Sequence, residues 1–249
     1  MRRVAIPIPG GCFEHVVVKA ASLQNGDGSD ASSDLLLDVR NLSFRYPSQA
    51  TGAPRIIDGL SFQIAGGEFV RVLGRNGSGK STLLKIVAGE LSPTEGTCAV
   101  RADVRVAYLD QDAWASTADA LTLREQLSLA NAQMFGGNSD TAESRVGENS
   151  IAEFGLGLEH RLDDFIDHLS GGQRQIAALL TALGQGARLL LLDEFMSAMD
   201  PHSASVAAGL LRSAVQHHAV AILFAGHWTS ELEPNRIITF NNERSHDAA

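Results

Sequence analysis

The stretch that most restricts how this chain can fold is GRNGSGKST, which runs from Gly74 to Thr82. It matches the pattern G-x-x-x-x-G-K-[ST], follows the strand-like run FVRVL and opens a segment with helical spacing. Glycines let the backbone N–H groups of such a loop turn inward around phosphate oxygens, and the start of the helix adds the positive end of its dipole. The stretch therefore predicts a phosphate-binding loop between a strand and a helix of an α/β fold.

Side chains of the same loop suit a nucleotide with its metal ion. Lys80 can reach β- and γ-phosphate oxygens, and the Ser81 hydroxyl can hold Mg²⁺. A glycine-rich turn that happens to precede Lys-Ser is the alternative, and the flanking strand and helix disfavour it. We expect a nucleotide to contact Gly74, Asn76, Gly77, Ser78, Gly79, Lys80, Ser81 and Thr82.

A second stretch, RLLLLDEFMSAMD, runs four leucines straight into two acids, Asp193 and Glu194. The leucines predict a buried parallel strand, and ligands of such sheets bind at the carboxyl ends of the strands. We expect this strand to neighbour the one before the phosphate loop, so that Asp193 can bind Mg²⁺. Glu194 would then lie near the γ-phosphate, where a carboxylate can orient the attacking water or accept its proton. The alternative is an acidic strand end that is merely solvated.

Strand-like and helical segments alternate from Leu35 onward. The runs LLLDVRNLSF, RIIDGLSFQI, EFVRVLG, RVAYLD, ARLLLLD and HAVAILFAG are strand-like, whereas KSTLLKIVAG, GGQRQIAALLTAL and PHSASVAAGLLRSAV have helical spacing. This order predicts a mostly parallel sheet with helices on both faces. We expect an extension with a flexible linker over 1–34, one main domain over 35–240, and a polar, frayed tail over 241–249.

Composition excludes several other classes of protein. The formal net charge of −9 disfavours a chain whose main task is to grip a phosphate backbone, so we expect no nucleic-acid partner. The two cysteines, Cys12 and Cys98, form no CxxC or Cys/His cluster, which argues against a disulfide framework and a zinc site. The same cysteine pattern favours a reducing cytosol, so we expect a cytoplasmic location. No run of about 18 apolar residues occurs, so we expect that the chain does not span a membrane by itself.

The octapeptide HLSGGQRQ, His168 to Gln175, is similar to the signature sequence of ATP-binding cassette (ABC) ATPases. It lies between the phosphate loop and the Asp-Glu strand, as it does in that family, and the resemblance extends over about residues 35–240. The resemblance implies a P-loop NTPase with a mostly parallel sheet core, an antiparallel β subdomain and a helical signature subdomain at about 112–184. ATP and Mg²⁺ are the implied cofactors.

The resemblance also implies roles for residues outside the phosphate loop. Tyr46 would stack on adenine, Gln111 would sense Mg²⁺ and the γ-phosphate as a metal ligand, and His227 would contact the γ-phosphate. A packed strand aromatic and a core histidine are the alternatives for Tyr46 and His227. SAMD, which ends at Asp200, resembles the loop that crosses the dimer interface. Nucleotide held by the opposite protomer would contact Ser170, Gly171, Gly172 and Gln173.

The sequence departs from the family pattern at two places. Phe195 and Met196 stand where Pro and Thr usually follow the Asp-Glu pair, and Trp228 follows His227 where an acid is frequent. Neither change removes a group that contacts nucleotide or metal. Phe195 and Met196 either pack the dimer seam or fill a gap in the core, and the sequence leaves both possibilities open.

For function, the resemblance implies an ATP-hydrolysing subunit that dimerises on ATP and drives transport through a separate membrane permease. The runs FGLGLEHRL, LSGGQRQIAALLTAL and ASTADALTLREQLSLA look like those of tryptophan/tyrosine-type bacterial importers. That likeness implies import of a small organic solute such as an amino acid, an extracellular solute-binding protein, and a place on the inner face of the membrane. A soluble, non-transport ABC ATPase of the ABC-F translation-factor type is the alternative. A nucleotide binder without turnover is disfavoured because Glu194 and His227 are present.

Overall fold

The computed structural model of the protein describes residues 34–46, 55–110, 121–128, 156–197, 199–226, 233–241 and 244–248. The predicted extension before residue 34, Gln111 and His227 lie outside these ranges, as does Trp228. The elements in chain order are β1 (Leu35–Phe44), β2 (Ile57–Ala65), β3 (Phe69–Gly74), α1 (Lys80–Ala88), β4 (Glu95–Val100), β5 (Val106–Leu109), α2 (Gly171–Gly184), β6 (Leu189–Asp193), α3 (Pro201–His218), β7 (Ala221–Ala225), β8 (Arg236–Asn241) and β9 (Arg244–Ala248).

Two sheets organise these elements. Strands β2, β1 and β4 form an antiparallel sheet in that order. The second sheet has the order β5-β6-β7-β3-β8-β9, in which the first five strands run parallel and β9 pairs antiparallel with β8. The predictions of a mostly parallel core and an antiparallel β subdomain are therefore confirmed.

The leucine run of β6 is buried throughout because both faces of the parallel sheet are covered. Leu189 and Leu191 belong to a hydrophobic cluster that also contains α1 and the antiparallel sheet, so α1 lies between the two sheets. Leu190 and Leu192 face the other way, into a cluster with α2 and α3. Side chains alternate across a strand, so consecutive leucines can serve two different cores.

Part of the predicted helical subdomain lies within the described residues. A short helix covers 123–128, and 3₁₀ turns cover Leu158–His160 and Ile166–His168. Their apolar side chains join α2 in one core cluster, which includes Leu123, Leu127, Leu158, Leu162, Ile166 and Leu169. The subdomain limits of about 112 and 184 stay a prediction.

The expectation of a frayed tail over 241–249 is wrong for most of that segment. Arg244–Ala248 form β9, with Thr239 opposite His246 in the register with β8. A polar sequence suggested fraying because it has little to bury. Pairing with β8 instead rests on backbone hydrogen bonds at a sheet edge, which do not require apolar side chains.

Candidate nucleotide-binding site

The phosphate loop joins the end of β3 to the start of α1, as predicted. Gly77 and Gly79 have φ values of 77° and 107°, which glycine adopts far more readily than other residues. A Cβ at Gly79 would also lie 2.7 Å from Ile56 Cγ2, so the loop packs directly against the chain before β2. The Lys80 ammonium donates to the carbonyls of Gly74, at 2.9 Å, and Arg75, at 3.2 Å. The Lys80 side chain therefore lies across the phosphate loop, where it is predicted to bind phosphate oxygens.

The start of α1 fits an anion. Gly79 caps the helix without any side-chain hydrogen bond, so the first backbone N–H groups have no side-chain acceptor at the cap. Ser78 Oγ is buried and has no hydrogen-bond partner among the described residues. A Cβ at Gly74 would collide with this hydroxyl. Unpaired donors at a helix start are the groups that phosphate oxygens bind in such loops.

Asp193 ends β6, and its two carboxylate oxygens have different surroundings. It is 7% exposed, and its Oδ2 accepts a hydrogen bond of 3.1 Å from the Tyr108 hydroxyl. Oδ1 is buried and accepts no hydrogen bond within the described part of the chain. Because an unpaired buried carboxylate oxygen is costly, this atom fits a cation, and the site is suited to Mg²⁺. Burial, and then the charge of Asp193, raise the pKa of Tyr108, so the phenol remains a donor.

The strand of Asp193 does not neighbour the strand of the phosphate loop, contrary to our expectation. β7 lies between β6 and β3, with Ala225 opposite both Asp193 and Val72. Sequence order does not determine sheet order, and the later β7 is inserted between the two. All three strands are parallel, so their carboxyl ends still meet at one edge. The phosphate loop and Asp193 therefore share that edge.

Glu194 leaves the strand in a left-handed conformation, with φ of 50°. Its N–H donates to Ala225 O at 2.7 Å, and its carbonyl accepts from the backbone and hydroxyl of Ser197, at 2.9 and 2.6 Å. A Cβ at Gly226 would lie 2.9 Å from Glu194 Oε2. Sequence reasoning missed this role of Gly226, although the glycine directly before His227 was a signal. Gly226 leaves the space that the Glu194 side chain occupies.

Tyr46 lies beside the start of α1. Its hydroxyl and that of Thr82 are 3.2 Å apart and share a hydrogen bond. Its ring also packs edge-on against Phe44, with centroids 4.9 Å apart. The ring therefore packs against a strand residue, as expected for the alternative of a packed strand aromatic, and it also lies next to the phosphate loop. Stacking on adenine stays a prediction.

The signature residues form the start of α2. Ser170 caps the helix by accepting from Gln173 N, and Gln173 Oε1 accepts from Ser170 N at 3.0 Å, which completes a capping box. A Cβ at Gly171 would meet no atom of the described residues within 4 Å, whereas one at Gly172 would lie 2.6 Å from Ser203 Oγ on α3. Ser170 and Gly171 are exposed. The start of α2 therefore offers an open face beside a tightly packed one.

Arg161 supports this turn, and sequence reasoning missed it too. Its guanidinium donates to Gln173 Oε1 at 3.1 Å, to His168 O at 2.9 Å and to Asp164 at 2.7 Å. Gln173 Nε2 in turn donates to Leu156 O at 3.0 Å. The Gln173 side chain is thus engaged within its own subdomain, and its predicted contact with nucleotide stays a prediction.

Phe195 and Met196 fill the core. Phe195 is fully buried and Met196 is 6% exposed, and both belong to the cluster of α2 and α3. The physical reason is the turn at Glu194, which directs the following residues toward the face of Leu190 and Leu192. Of the two possibilities that the sequence left open, the structure supports core packing.

The fold and the loop define a P-loop nucleotide-binding protein. The family model of the ABC transporter matches residues 57–197. The chain is 31% identical over 206 residues to a "Tyrosine transport ATP-binding protein" of Clostridioides difficile (strain R20291), covering 77% of this chain and 82% of that protein. It is 36% identical over 204 residues to "Aliphatic sulfonates import ATP-binding protein SsuB 3" of Paraburkholderia xenovorans (strain LB400), covering 80% and 73%.

A solved "ATP binding subunit of ABC transporter" has a TM-score of 0.68 and 26% identity, with 86% of this chain and 89% of that chain covered. The chain belongs to the ABC transporter family, as an ATP-binding subunit, which confirms the resemblance seen in its motifs. Among the described residues, no helix has the length and apolar character needed to cross a membrane.

Proposed function

We propose that this protein hydrolyses ATP as the energy-supplying subunit of an importer and acts through a separate membrane permease. The observation that supports turnover best is the edge shared by the phosphate loop, Asp193 and Glu194. Within the described residues, one chain thus presents a phosphate cradle, a buried carboxylate oxygen that accepts no hydrogen bond, and a second carboxylate. That set contains the parts of a phosphoryl-transfer site in a P-loop protein.

Each residue has a defined task in this proposal. The Lys80 ammonium and the N–H groups at the start of α1 bind the phosphates. Ser81 and Asp193 would hold Mg²⁺, with Gln111 as a further ligand, and the bound ion would supply positive charge beside the phosphates. Glu194 orients the attacking water and accepts its proton, and His227 contacts the γ-phosphate.

The signature supplies the second half of the site from another copy of the chain. Ser170 and Gly171 are exposed at the start of α2, where a hydroxyl and the helix dipole suit an anion. The phosphate loop of the same chain already serves its own nucleotide. Two copies that face head to tail would bury two ATP molecules between loop and signature, so ATP acts as a dimerisation ligand and its cleavage releases the dimer.

Import of a small organic solute, such as an amino acid, is the transport that the relatives support. One relative is named for tyrosine transport, and another is named for aliphatic sulfonate import. The permease would select the solute, with an extracellular solute-binding protein delivering it. We place the ATPase on the cytoplasmic side of the membrane, bound to the permease.

The test is co-expression with a candidate permease from the same genome, followed by purification through a tag on the permease. We expect the chain to co-purify with the permease and to hydrolyse ATP in the complex. If the chain does not co-purify with the permease, and the chain carrying its own tag captures ribosomes, the result would instead support the non-transport ATPase. ATP binding without measurable turnover in the complex would contradict the enzymatic part of the proposal.

A further inference from the structure

Tyr108 touches the predicted metal ligand although no motif includes it. It lies on β5, is 6% exposed, and donates its hydroxyl hydrogen to Asp193 Oδ2 across 3.1 Å. The two residues are 85 positions apart in the chain. Strands β5 and β7 flank β6 on opposite sides. The Asp193 backbone therefore pairs with Ala225 of β7, while its side chain accepts a hydrogen bond from Tyr108 of β5.

The register explains how the contact arises. Tyr108 lies opposite Leu191 in the parallel pairing of β5 and β6, and Asp193 is two residues further along β6. Residues two apart on a strand share a face. Tyr108 and Leu191 belong to the cluster that packs around α1. Asp193 therefore lies on the face of the parallel sheet that is covered by α1, the helix that follows the phosphate loop.

The two oxygens of Asp193 are therefore not equivalent. Oδ2 has a buried donor, and Oδ1 is buried without one among the described residues. A hydrogen bond to one oxygen restricts rotation of the carboxylate and leaves the other oxygen for a ligand. Residues that hold metal ligands in this way commonly affect metal affinity by about 10- to 100-fold.

We propose that Tyr108 is a positioning residue that fixes the Asp193 carboxylate for Mg²⁺ in the nucleotide site. The inference rests on the proposed function, because it assigns Asp193 to the metal. The competing explanation is that the hydrogen bond only satisfies a buried phenol. The two explanations differ in whether loss of the hydroxyl changes metal binding through Asp193.

The main experiment compares wild type with Tyr108→Phe, using Mn²⁺ as a paramagnetic probe for the Mg²⁺ site. Each protein is loaded with a non-hydrolysable ATP analogue, and free Mn²⁺ is measured by EPR. We expect Tyr108→Phe to weaken Mn²⁺ binding to the complex about tenfold. Affinity for the analogue in EDTA should stay the same, because the hydroxyl contacts Asp193 and not the phosphate loop. Wild-type Mn²⁺ affinity in Tyr108→Phe would overturn the inference.

Asp193→Asn and the double variant complete a double-mutant cycle. We expect Tyr108→Phe to cause no further loss of Mn²⁺ affinity once Asp193 is replaced, since it acts through that carboxylate. Full additivity would overturn the inference in favour of a purely structural role. Tyr46→Phe is the matched control: it removes the other tyrosine hydroxyl, which contacts Thr82, so any effect on analogue affinity should be equal with and without Mn²⁺.

A second measurement keeps the ring and hydroxyl in place, so that it does not depend on Tyr108→Phe folding. The chain has two tyrosines, so 3-fluorotyrosine in Tyr46→Phe labels Tyr108 alone. We expect its ¹⁹F resonance to shift when Mg²⁺ is added to the analogue complex, and this shift to vanish in Asp193→Asn. An unchanged resonance would overturn the inference. If Asp193→Asn binds Mn²⁺ as wild type does, the proposed metal role of Asp193 fails instead.

Discussion

Glu194 adopts a backbone conformation that a non-glycine residue enters at a cost of about 1–3 kcal/mol. Two anchors hold it there, the carbonyl of Ala225 and the two donors of Ser197. Strain that the surroundings maintain is typical of functional positions, because it aims a side chain that regular strand geometry would direct elsewhere. The preceding acid, Asp193, still belongs to the regular strand, so its side chain lies on the same strand face as that of Leu191.

Glu194→Gln should leave ATP binding intact and slow ATP hydrolysis by at least about a hundredfold, because glutamine cannot accept the proton of water. The ATP-bound dimer should accumulate. Phosphate release and size-exclusion chromatography with ATP measure the two effects. Glu233→Gln, an exposed change outside the site, is the control. A variant that stays monomeric with ATP would contradict the head-to-tail dimer.

Gly226→Ala should reduce turnover more than it reduces nucleotide affinity. The added methyl group would lie 2.9 Å from Glu194 Oε2 and 3.0 Å from its Cα, so the acid must move. Steady-state ATPase rates and nucleotide binding are compared with those of Gly209→Ala, where no atom in the described part of the chain lies within 4 Å of the new Cβ. An unchanged rate in Gly226→Ala would show that the position of Glu194 does not limit hydrolysis.

At the scale of elements, α2 begins with a capping box whose glutamine is itself held by Arg161. We did not predict this box, although the Ser-x-x-Gln spacing of Ser170 and Gln173 is a local signal for it. Arg161 was not predicted, because its contacts with Gln173 and His168 depend on how the 3₁₀ turns fold back against α2. A cap of this kind is worth about 1 kcal/mol, and here it also shapes the exposed signature face.

Arg161→Ala should weaken ATP-driven dimerisation and leave ATP binding by the monomer unchanged, since Arg161 supports the signature and not the phosphate loop. Analytical ultracentrifugation at several ATP concentrations measures the first effect, in the Glu194→Gln background to prevent turnover. Arg124→Ala is matched to it, because Arg124 forms an exposed ion pair with Asp163 in the same subdomain. Equal dimerisation of the two variants would argue against a role for Arg161.

For the whole molecule, nucleotide binding should appear as added stability. A ligand at about 100 times its Kd stabilises the folded state by about 2.7 kcal/mol, so ATP should raise the Tm of the wild type. Lys80→Ala should lose this ATP-dependent rise, because its ammonium lies across the phosphate loop. Lys85→Ala, in the last turn of α1, should keep it. A full ATP-dependent rise in Lys80→Ala would contradict the assignment of the loop.

The sequence by itself determined the local units of this protein. The phosphate loop between β3 and α1, the buried strand that ends at Asp193 and the helix that begins in the signature each depend on residues close together in the chain. Short patterns of glycine and leucine, together with helical spacing of apolar residues, therefore suffice to predict them. The resemblance in the motifs extended this to the family, which the comparisons confirmed.

Only the tertiary structure decided how these units meet. It placed β7 between β6 and β3, Tyr108 on Asp193, Gly226 under Glu194, and Phe195 in the core. In the tertiary structure, most of the polar tail also forms a strand, β9. The reason is physical: strand order and contacts between distant segments follow from packing the whole domain at once, and no local pattern encodes them.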